Sequence, residues 1–209
     1  FFFHAEHAIR DSVASRGLGD VYKRQILMYV TMSTFVYMEL REMLAVFDRA
    51  ERTEINARID LAVNALAIVT ALLLTGRIAS RFGVAPLLAA IPIMMVAGWL
   101  IVAAIPLLAV IIGLQIARRA GNYAVTKPGR EMLFTVVSDD ERYKAKPVID
   151  ICVYRGGDMV TAWFHTGLKE VLAFGPTGIA LVASVIAGIW ALSGIYLGRY
   201  YNRAGSPVE

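Results

Sequence analysis

One apolar stretch of the sequence carries polar and ionisable residues at helical spacing. The residues that recur every three or four positions are Lys146, Asp150, Tyr154, Asp158, Thr161 and His165. Residues at this spacing share one face of an α-helix, so the pattern predicts a polar face on an otherwise apolar helix. Arg155 adds a planar fork of donors that suits phosphate or carboxylate. Gly156 and Gly157 follow it and permit close approach of a neighbour or a ligand. The chemistry indicated is the binding of an anion.

Arg155 also has a structural interpretation. An internal ion pair with Asp158 or Asp150 would lock the helices together without any contact to a solute, and the two interpretations are compatible. Because ionisable side chains at membrane depth are costly, they are by default functional. We therefore predict that Arg155 and Asp158 contact a solute, with Asp150 and Lys146 on the same face.

A second polar stripe is formed by Asn56, Asp60 and Asn64, which follow each other at intervals of four residues. Their shared helix face predicts the lining of a cavity, with Asp60 and Asn64 as solute contacts. Hydrogen bonding between helices, a common structural use of membrane asparagine, is the alternative.

A cluster of cationic and amide residues ends another apolar stretch, at Arg118, Arg119 and Asn122, with Lys127 shortly after. We predict solute contacts for Arg119, Asn122 and Lys127. Part of this cluster is also expected to anchor the helix at the cytoplasmic surface.

Two further ionisable residues lie in apolar stretches. Glu39 is a candidate proton or cation site, or an ordinary residue at the outer interface. His165 is interpreted as a packed or interfacial histidine rather than as a proton relay.

Catalytic and metal chemistry have little support in this sequence. Cys152 is the single cysteine, which excludes an intrachain disulfide and a multi-cysteine metal site. His4 and His7 have H-x-x-H spacing, but no further ligand supports them. The H-E-x-x-H, G-x-S-x-G and P-loop patterns are missing. We expect no enzyme, no metal and no cofactor.

The composition indicates which solvent must surround these stripes. Hydrophobic residues make up 57% of the chain, and the mean hydropathy is +0.58. The apolar residues form blocks of about 20 residues, the length of a helix that crosses a bilayer. Although the pI is about 9.3, the basic residues lie mainly between these blocks, which indicates membrane orientation rather than binding to nucleic acid.

The blocks predict an all-α, polytopic membrane protein with six transmembrane helices. We place them at 26–40 with an extension to 47, and at 59–75, 86–104, 107–126, 147–172 and 177–197. The connections are then a charged turn at 48–54, a basic loop at 77–83, a corner at Pro106, a polar stretch at 127–146 and a short outer turn.

Loop charge predicts the orientation. The loops on one side, with the C-terminal tail, hold eleven Lys and Arg residues, and the turns on the other side hold four. The positive-inside rule places the C-terminus in the cytoplasm, so we expect a multi-pass protein of the bacterial inner membrane.

Residues 1–25 differ from the rest. The segment 15–25, Ser-Arg-Gly-Leu-Gly-Asp-Val-Tyr-Lys-Arg-Gln, lacks an apolar period and resembles a reading frame through a transposase-type sequencing adaptor. We interpret 1–25 as a non-native leader, with a natural polar tail as the alternative. This divides the chain into the leader, the bundle at 26–198 and a cytoplasmic tail at 199–209.

The loop between the second and third predicted helices, Gly76-Arg-Ile-Ala-Ser-Arg-Phe-Gly83, resembles the G-x-x-x-D-R-x-G loop of the major facilitator superfamily. Ser80 replaces the acidic residue of that pattern, and no basic pair follows Gly83. The resemblance implies a similar turn without the charge relay. It also implies that the six helices form one half of a major facilitator fold.

A longer resemblance covers about 26–198. Its most specific part is Asn122-Tyr-Ala-Val-Thr-Lys-Pro-Gly-Arg-Glu-Met-Leu-Phe-Thr-Val-Val137, with Glu141-Arg-Tyr-Lys-Ala-Lys146 and Tyr154-Arg-Gly-Gly-Asp158. This part is similar to the ATP/ADP translocase (nucleotide antiporter) family, whose members are twelve-helix proteins of the major facilitator type. The resemblance implies nucleotide counter-exchange, with Arg155, Arg119, Lys127 and Lys146 available to hold phosphates.

One departure affects the expected solute. Nucleotide-carrying members tend to have a Lys-Ser pair before the two glycines, where this chain has Tyr154 and Arg155. The free-living bacterial branch, which the chain most resembles, need not carry nucleotides.

The expected function is therefore a fragment of a secondary carrier that works by alternating access, with ATP/ADP or another nucleotide as a candidate solute. Its partners would be the bilayer, a missing N-terminal six-helix half and a small anion, but no nucleic acid. The alternatives are a carrier of a different anionic or small organic solute, and a structural membrane protein that transports nothing.

Overall fold

The computed structural model describes residues 24–75, 84–126 and 139–204 of the 209-residue chain. Within these ranges all regular structure is helical and no strand occurs. The six longer helices are α1 (24–43), α2 (Arg49–Thr70), α3 (Val84–Ala104), α4 (Leu108–Gly121), α5 (Asp139–Glu170) and α6 (Pro176–Ala204). A single 3₁₀ turn, Leu44–Val46, follows α1. Wider π-helical turns, Ala71–Thr75 and Asn122–Thr126, extend α2 and α4.

The start of α2 differs from the sequence prediction. The segment 48–54, predicted as a turn, is the first part of this helix apart from Asp48. Asp48 caps the helix by accepting a hydrogen bond from the Glu51 backbone N–H at 2.8 Å, and the Glu51 carboxylate accepts one from the Asp48 N–H at 3.0 Å. This reciprocal capping box satisfies two backbone donors that a helix end otherwise leaves free. The turn prediction was wrong because apolar residues alone defined the boundary.

Helices α5 and α6 are also longer than predicted. α5 begins at Asp139, eight residues before the predicted span, so the end of the polar stretch at 127–146 is helical and Pro147 lies inside the helix. α6 begins with Pro176, a residue favoured at the first helical position, and continues to Ala204 through the start of the predicted tail. Charged helix formers carry both helices past their apolar blocks. The predicted corner at Pro106 is confirmed, since residues 105–107 separate α3 from α4.

The described helices pack against each other in several pairs. α3 packs along α6, where Ala180, Ala183 and Ala187 are buried. Small residues of this kind let helix axes approach closely. α4 packs against both α2 and α3. α1 packs against α6, because the Trp190 indole N–H donates to Gln25 at 2.7 Å and Tyr29 lies edge-on to Trp190.

Two glycines allow the close contact between α3 and α4. A Cβ atom on Gly98 would lie 2.3 Å from Leu114 Cδ1, and one on Gly121 would lie 2.1 Å from Ile91 Cδ1. Real Cβ atoms do not approach other carbons so closely, so a larger residue at either position would force the Leu114 or Ile91 side chain to shift.

Two helices of the described part are long and apolar enough to cross a membrane, Arg49–Leu73 and Pro176–Tyr196, and Ala89–Ala104 is a shorter apolar helix. Much of their apolar surface is not packed inside the bundle. Within α2 only Ile59 and Val63 are buried, and Leu61 and Leu72 are 72% and 79% exposed.

Candidate functional site

A cavity of about 780 Å³ lies between α1, α2, α4 and α5. Its charged lining, as far as the structure describes it, consists of four arginines and two aspartates, namely Arg41, Arg52, Arg118, Arg119, Asp60 and Asp158. α1 contributes most of the uncharged lining, including Ser33, Thr34 and Tyr37. The cavity therefore combines hydrogen-bonding groups with an excess of positive charge.

Arg118 is the most buried cation of this cavity, at 3% exposure. Its guanidinium donates to the Tyr29 hydroxyl at 3.1 Å and to Gln115 Oε1 at 2.7 Å. Both partners are neutral, and no described carboxylate forms an ion pair with this group. Its Nε atom has no hydrogen-bond partner among the described residues. Among the described residues only dipoles compensate this buried cation, which is costly, so Arg118 favours an anion in the cavity.

Arg119, the next residue, is neutralised within the bundle. Its Nη1 lies 2.5 Å from Asp60 Oδ1, so the pair connects α4 to α2. Asp60 is 57% exposed and Arg119 30% exposed at their side chains. Ion pairs that remain in contact with solvent contribute little net free energy. An incoming charged solute can therefore compete with this pair at small cost.

Asp158 faces the cavity from α5 and is held by α1. The Thr34 hydroxyl donates to Asp158 Oδ1 at 2.8 Å, and Thr31 lies 3.3 Å from Thr161, hydroxyl to hydroxyl. Gly157 packs against Leu27 and Val30, and a Cβ atom added at Gly157 would lie 3.1 Å from Leu27 Cδ1. The small residue beside Asp158 thus permits the close approach that the sequence indicated.

The polar contact of α1 and α5 continues beyond the cavity. The side chains of Glu39 and His165 are both buried, and Glu39 Oε1 lies 3.1 Å from His165 Nε2. Lys169 lies one turn farther along α5, with Nζ 4.0 Å from Glu39 Oε1 and in an ion pair with Glu42. The burial of His165 agrees with its interpretation as a packed residue, but the sequence did not predict its partner.

The predicted site residues have different positions in the structure. Asp60, Arg119 and Asp158 line the cavity. Asn122 is buried beyond the end of α4, outside the lining. Arg155 and Asn64 are exposed and do not line the cavity.

Arg155 nevertheless belongs to the cavity side of α5. It is three residues from Asp158 and seven from Ala162, and both of those residues line the cavity. At 3.6 residues per turn these positions share one face of the helix. Arg155 is thus available to a solute or partner that covers this face.

The remaining predicted residues cannot be placed. Lys127 lies outside the described residues. Lys146 and Asp150 belong to the described backbone of α5, but their side chains are outside the described part. The loop at 76–83, with its resemblance to the major facilitator pattern, also lies outside the described residues.

Sequence reasoning missed Arg118 as a site residue, together with Arg41, Arg52 and Gln115. Gln115 and Arg118 are three residues apart inside an apolar stretch, which is a readable signal for a shared polar face. Arg41 and Arg52 gave no such signal, because both lie near predicted helix ends, where charged residues are ordinary.

The described residues give no indication of a metal centre, since they contain no group of three His, Cys, Asp or Glu side chains that could hold an ion. Comparison of the chain with protein-family models, curated proteins and solved structures finds no match. The resemblance to the ATP/ADP translocase family stays a prediction.

Proposed function

We propose that this chain is a six-helix half of a multi-pass membrane carrier that moves an anionic solute by alternating access. The observation that carries the proposal is Arg118. This guanidinium is buried beside a cavity, contacts only neutral described partners and has an unused donor.

The exposed apolar surface supports a membrane setting. Large apolar side chains of α2 and α6 point away from the bundle, for example Leu61, Leu72, Val185 and Leu192 at 63–79% exposure. Apolar surface in water costs about 25 cal/mol per Å², and extended patches of it mark contact with lipid or with a partner protein. We assign this surface to lipid and to the other half of the carrier. Under the positive-inside rule the C-terminus is cytoplasmic, in a bacterial inner membrane.

The helix contacts support the architecture of a carrier half. Major facilitator halves consist of two three-helix repeats of opposite orientation. If α1–α3 and α4–α6 are the two repeats, α1 corresponds to α4, α2 to α5 and α3 to α6. The contact of α1 with α5 then corresponds to that of α4 with α2, and the contact of α1 with α6 corresponds to that of α4 with α3. All four contacts are present, and α3 packs against α6, its own equivalent. The cavity is lined by two equivalent pairs, α1 with α4 and α2 with α5.

Positive charge in the cavity supports an anionic solute. The described lining has four arginines and two aspartates, an excess of positive charge, and one aspartate is already paired with Arg119. An anion bound at Arg118 would supply the compensating charge that no described carboxylate gives this group. Guanidinium groups bind phosphate and carboxylate through two parallel hydrogen bonds.

The identity of the solute rests on sequence resemblance. The segment 122–158 resembles nucleotide antiporters, so we propose ATP or ADP exchange as the specific case. A different organic anion is the alternative. Either solute would bind between this half and its partner half, which rock against each other to open the site to each side in turn.

Binding to the chain itself tests this proposal. The chain is reconstituted in lipid nanodiscs, and labelled ATP is titrated in at low salt. Arg118→Ala should weaken binding by about tenfold or more, because a charged hydrogen-bond pair contributes about 1.5–3 kcal/mol. Arg118→Lys keeps a buried cation and should lose only part of the affinity.

Arg58→Ala is the matched control, because Arg58 is 77% exposed and pairs with Glu54 outside the cavity. It should bind ATP as the unchanged chain does. Succinate and inorganic phosphate are added as competitors to separate nucleotide binding from general anion binding. Equal affinity in the Arg118→Ala variant, with its helix content retained, would remove the anion site from the cavity.

One observation favours a second candidate, a membrane protein that transports nothing. The pair of Arg119 with Asp60 shows that charged side chains of this cavity can serve to hold α4 against α2. If these side chains served only to hold the helices together, ATP, succinate and phosphate would not bind. A substitution of Arg119 would then affect only the thermal stability of the bundle.

A further inference from the structure

The cavity is elongated along α1 and α2. Its lining on α1 runs from Ser33 to Leu44, which is about 17 Å at the rise of an α-helix. On α2 it runs from Arg52 to Asp60, which is about 12 Å. The two ends of the cavity are therefore different places, and a solute can meet one before the other.

Arg41 and Arg52 lie together at one end. The Arg52 Nε donates to the Phe47 carbonyl at 2.8 Å, and its Nη2 donates to the Ala45 carbonyl at 3.4 Å. Both carbonyls belong to the short connection between α1 and α2, so the Arg52 guanidinium is held beside the end of α1, where Arg41 lies. We call this the outer end, because it is at the outer surface in the proposed orientation.

The opposite, inner end holds the rest of the described charged lining. Asp158 accepts from Thr34 there, and Arg119 pairs with Asp60 next to Arg118. Two arginines and two aspartates balance at this end, so the excess of positive charge in the described lining belongs to the outer end. Balanced charges cancel at a distance, so an anion still in water is drawn to the outer end.

The two arginines of the outer end keep their charge for the cavity. Neither Arg41 nor Arg52 forms an ion pair with a described side chain. The acidic side chains of this end have other partners, namely Lys169 for Glu42, Arg58 for Glu54, and the capping box of α2 for Asp48 and Glu51.

We infer that Arg41 and Arg52 form a capture site, which draws the anionic solute into the cavity before it reaches Arg118. The inference rests on the proposed function, since it requires an anion that binds at Arg118. Eight residues of α2, about 12 Å along the helix axis, separate Arg52 from Asp60 at the inner end. This exceeds the screening length of about 8 Å at physiological ionic strength. The capture site therefore speeds entry and contributes little to holding the bound solute.

The capture site also favours solutes of high charge. Coulomb attraction grows with the charge of the anion, so entry of ATP should gain more from it than entry of phosphate or succinate. The described lining between the two ends is uncharged and includes Tyr37, Met38 and Asn56. No described cation there would stop the solute on its way to Arg118.

Stopped-flow mixing tests the capture site, with ATP that carries a fluorescent ribose label and the chain in nanodiscs of neutral lipid. The double variant Arg41→Gln with Arg52→Gln removes both charges and keeps amide donors for the carbonyls. Its association rate constant at low salt should fall by about tenfold, and the salt dependence of this rate should become weaker. Its dissociation rate constant at physiological salt should change by less than about twofold. Arg118→Ala should instead raise the dissociation rate constant by about tenfold.

Two further variants make the result specific. Arg41→Gln alone touches no hydrogen bond to a described residue, so it leaves the connection of α1 and α2 intact, and it should slow association by about threefold. Arg49→Gln with Arg58→Gln is the matched control, because it removes the same charge from exposed residues of the same end of α2 that lie outside the cavity lining. This control should bind labelled ATP as fast as the unchanged chain does.

Three results would overturn the inference. The first is an association rate that the double variant leaves unchanged, and the second is an equal fall in the matched control, which would assign the effect to surface charge in general. The third is a dissociation rate constant that rises as much as in Arg118→Ala, because the two arginines would then hold the bound solute.

Failure of the proposed function has a different signature. If ATP, phosphate and succinate all fail to bind the unchanged chain, the function and the capture site fall together. If ATP binds in a way that depends on Arg118, while its association rate is the same without Arg41 and Arg52, the capture site alone falls.

Discussion

Arg118 and Arg119 are neighbours in the sequence but have opposite situations in the structure. Arg119 is partly exposed and paired with Asp60, whereas Arg118 is buried with neutral partners. The difference arises because consecutive residues on a helix point about 100° apart. Only one of the two can face the interior, and that residue, Arg118, has no ion-pair partner among the described side chains.

The pair of Arg119 with Asp60 allows a prediction of opposite sign to that for Arg118. Asp60→Asn removes the carboxylate and releases Arg119 toward the cavity. We expect anion affinity in nanodiscs to rise by about two- to fivefold, because this factor corresponds to the small free energies measured for exposed ion pairs. Calorimetric titration with ATP measures it. A loss of affinity in this variant would mean that Asp60 itself helps to hold the solute.

At the scale of the helices, boundaries followed capping and charge rather than hydrophobicity. α2 begins at its capping box, well before the apolar block, and α5 begins among charged helix formers. Both extensions place charged turns at the ends of apolar helices. In a bilayer such turns reach the headgroup region, where their charge is tolerated.

The close packing of α3 and α4 supplies a prediction for stability. Gly121→Val places side-chain atoms where Ile91 lies, and we expect this overpacking to cost about 1–3 kcal/mol. Thermal unfolding in nanodiscs, followed by helical circular dichroism, should show a lower midpoint.

Gly113→Ala is the matched change in the same helix, because nothing lies within 4 Å of a Cβ atom at Gly113. It should raise the midpoint or leave it unchanged, since alanine favours helix by up to about 1 kcal/mol over glycine. Equal effects of the two substitutions would show that Gly121 is not in close contact with Ile91.

At the scale of the molecule, the bundle has two kinds of surface. Its cavity is polar and positively charged, and the outer faces of α2 and α6 are apolar. In our proposal lipid covers the outer faces and the other half of the carrier covers the cavity. Two helices are long and apolar enough to cross a membrane, and the remaining spans are part of the proposal.

Orientation in the membrane can be tested on the whole chain. With Cys152 replaced by serine, a single cysteine is introduced at Ser206 or at Thr53. A membrane-impermeant maleimide added to intact spheroplasts should label the Thr53→Cys variant and leave the Ser206→Cys variant unlabelled until the cells are lysed. The reverse pattern would place the C-terminus outside and invert the proposed direction of the helices.

The sequence by itself determined the helical class, the number of long helices and the polar faces of α2 and α5. These features depend on local helix propensity and on the spacing of polar residues along one helix, and both are contained in a single segment of the sequence. Asp60 and Asp158 were found in this way, Arg119 was found as part of a cationic cluster, and all three line the cavity.

Only the tertiary structure decided which side chains meet. Arg118 with Tyr29 and Glu39 with His165 are pairs separated by 89 and 126 residues. Such pairs depend on how helices rotate and pack against each other, which periodicity within one helix cannot specify. For the same reason Arg155, the strongest anion-binding candidate in the sequence, lies outside the cavity, whereas Arg118, for which we predicted no solute contact, lines it.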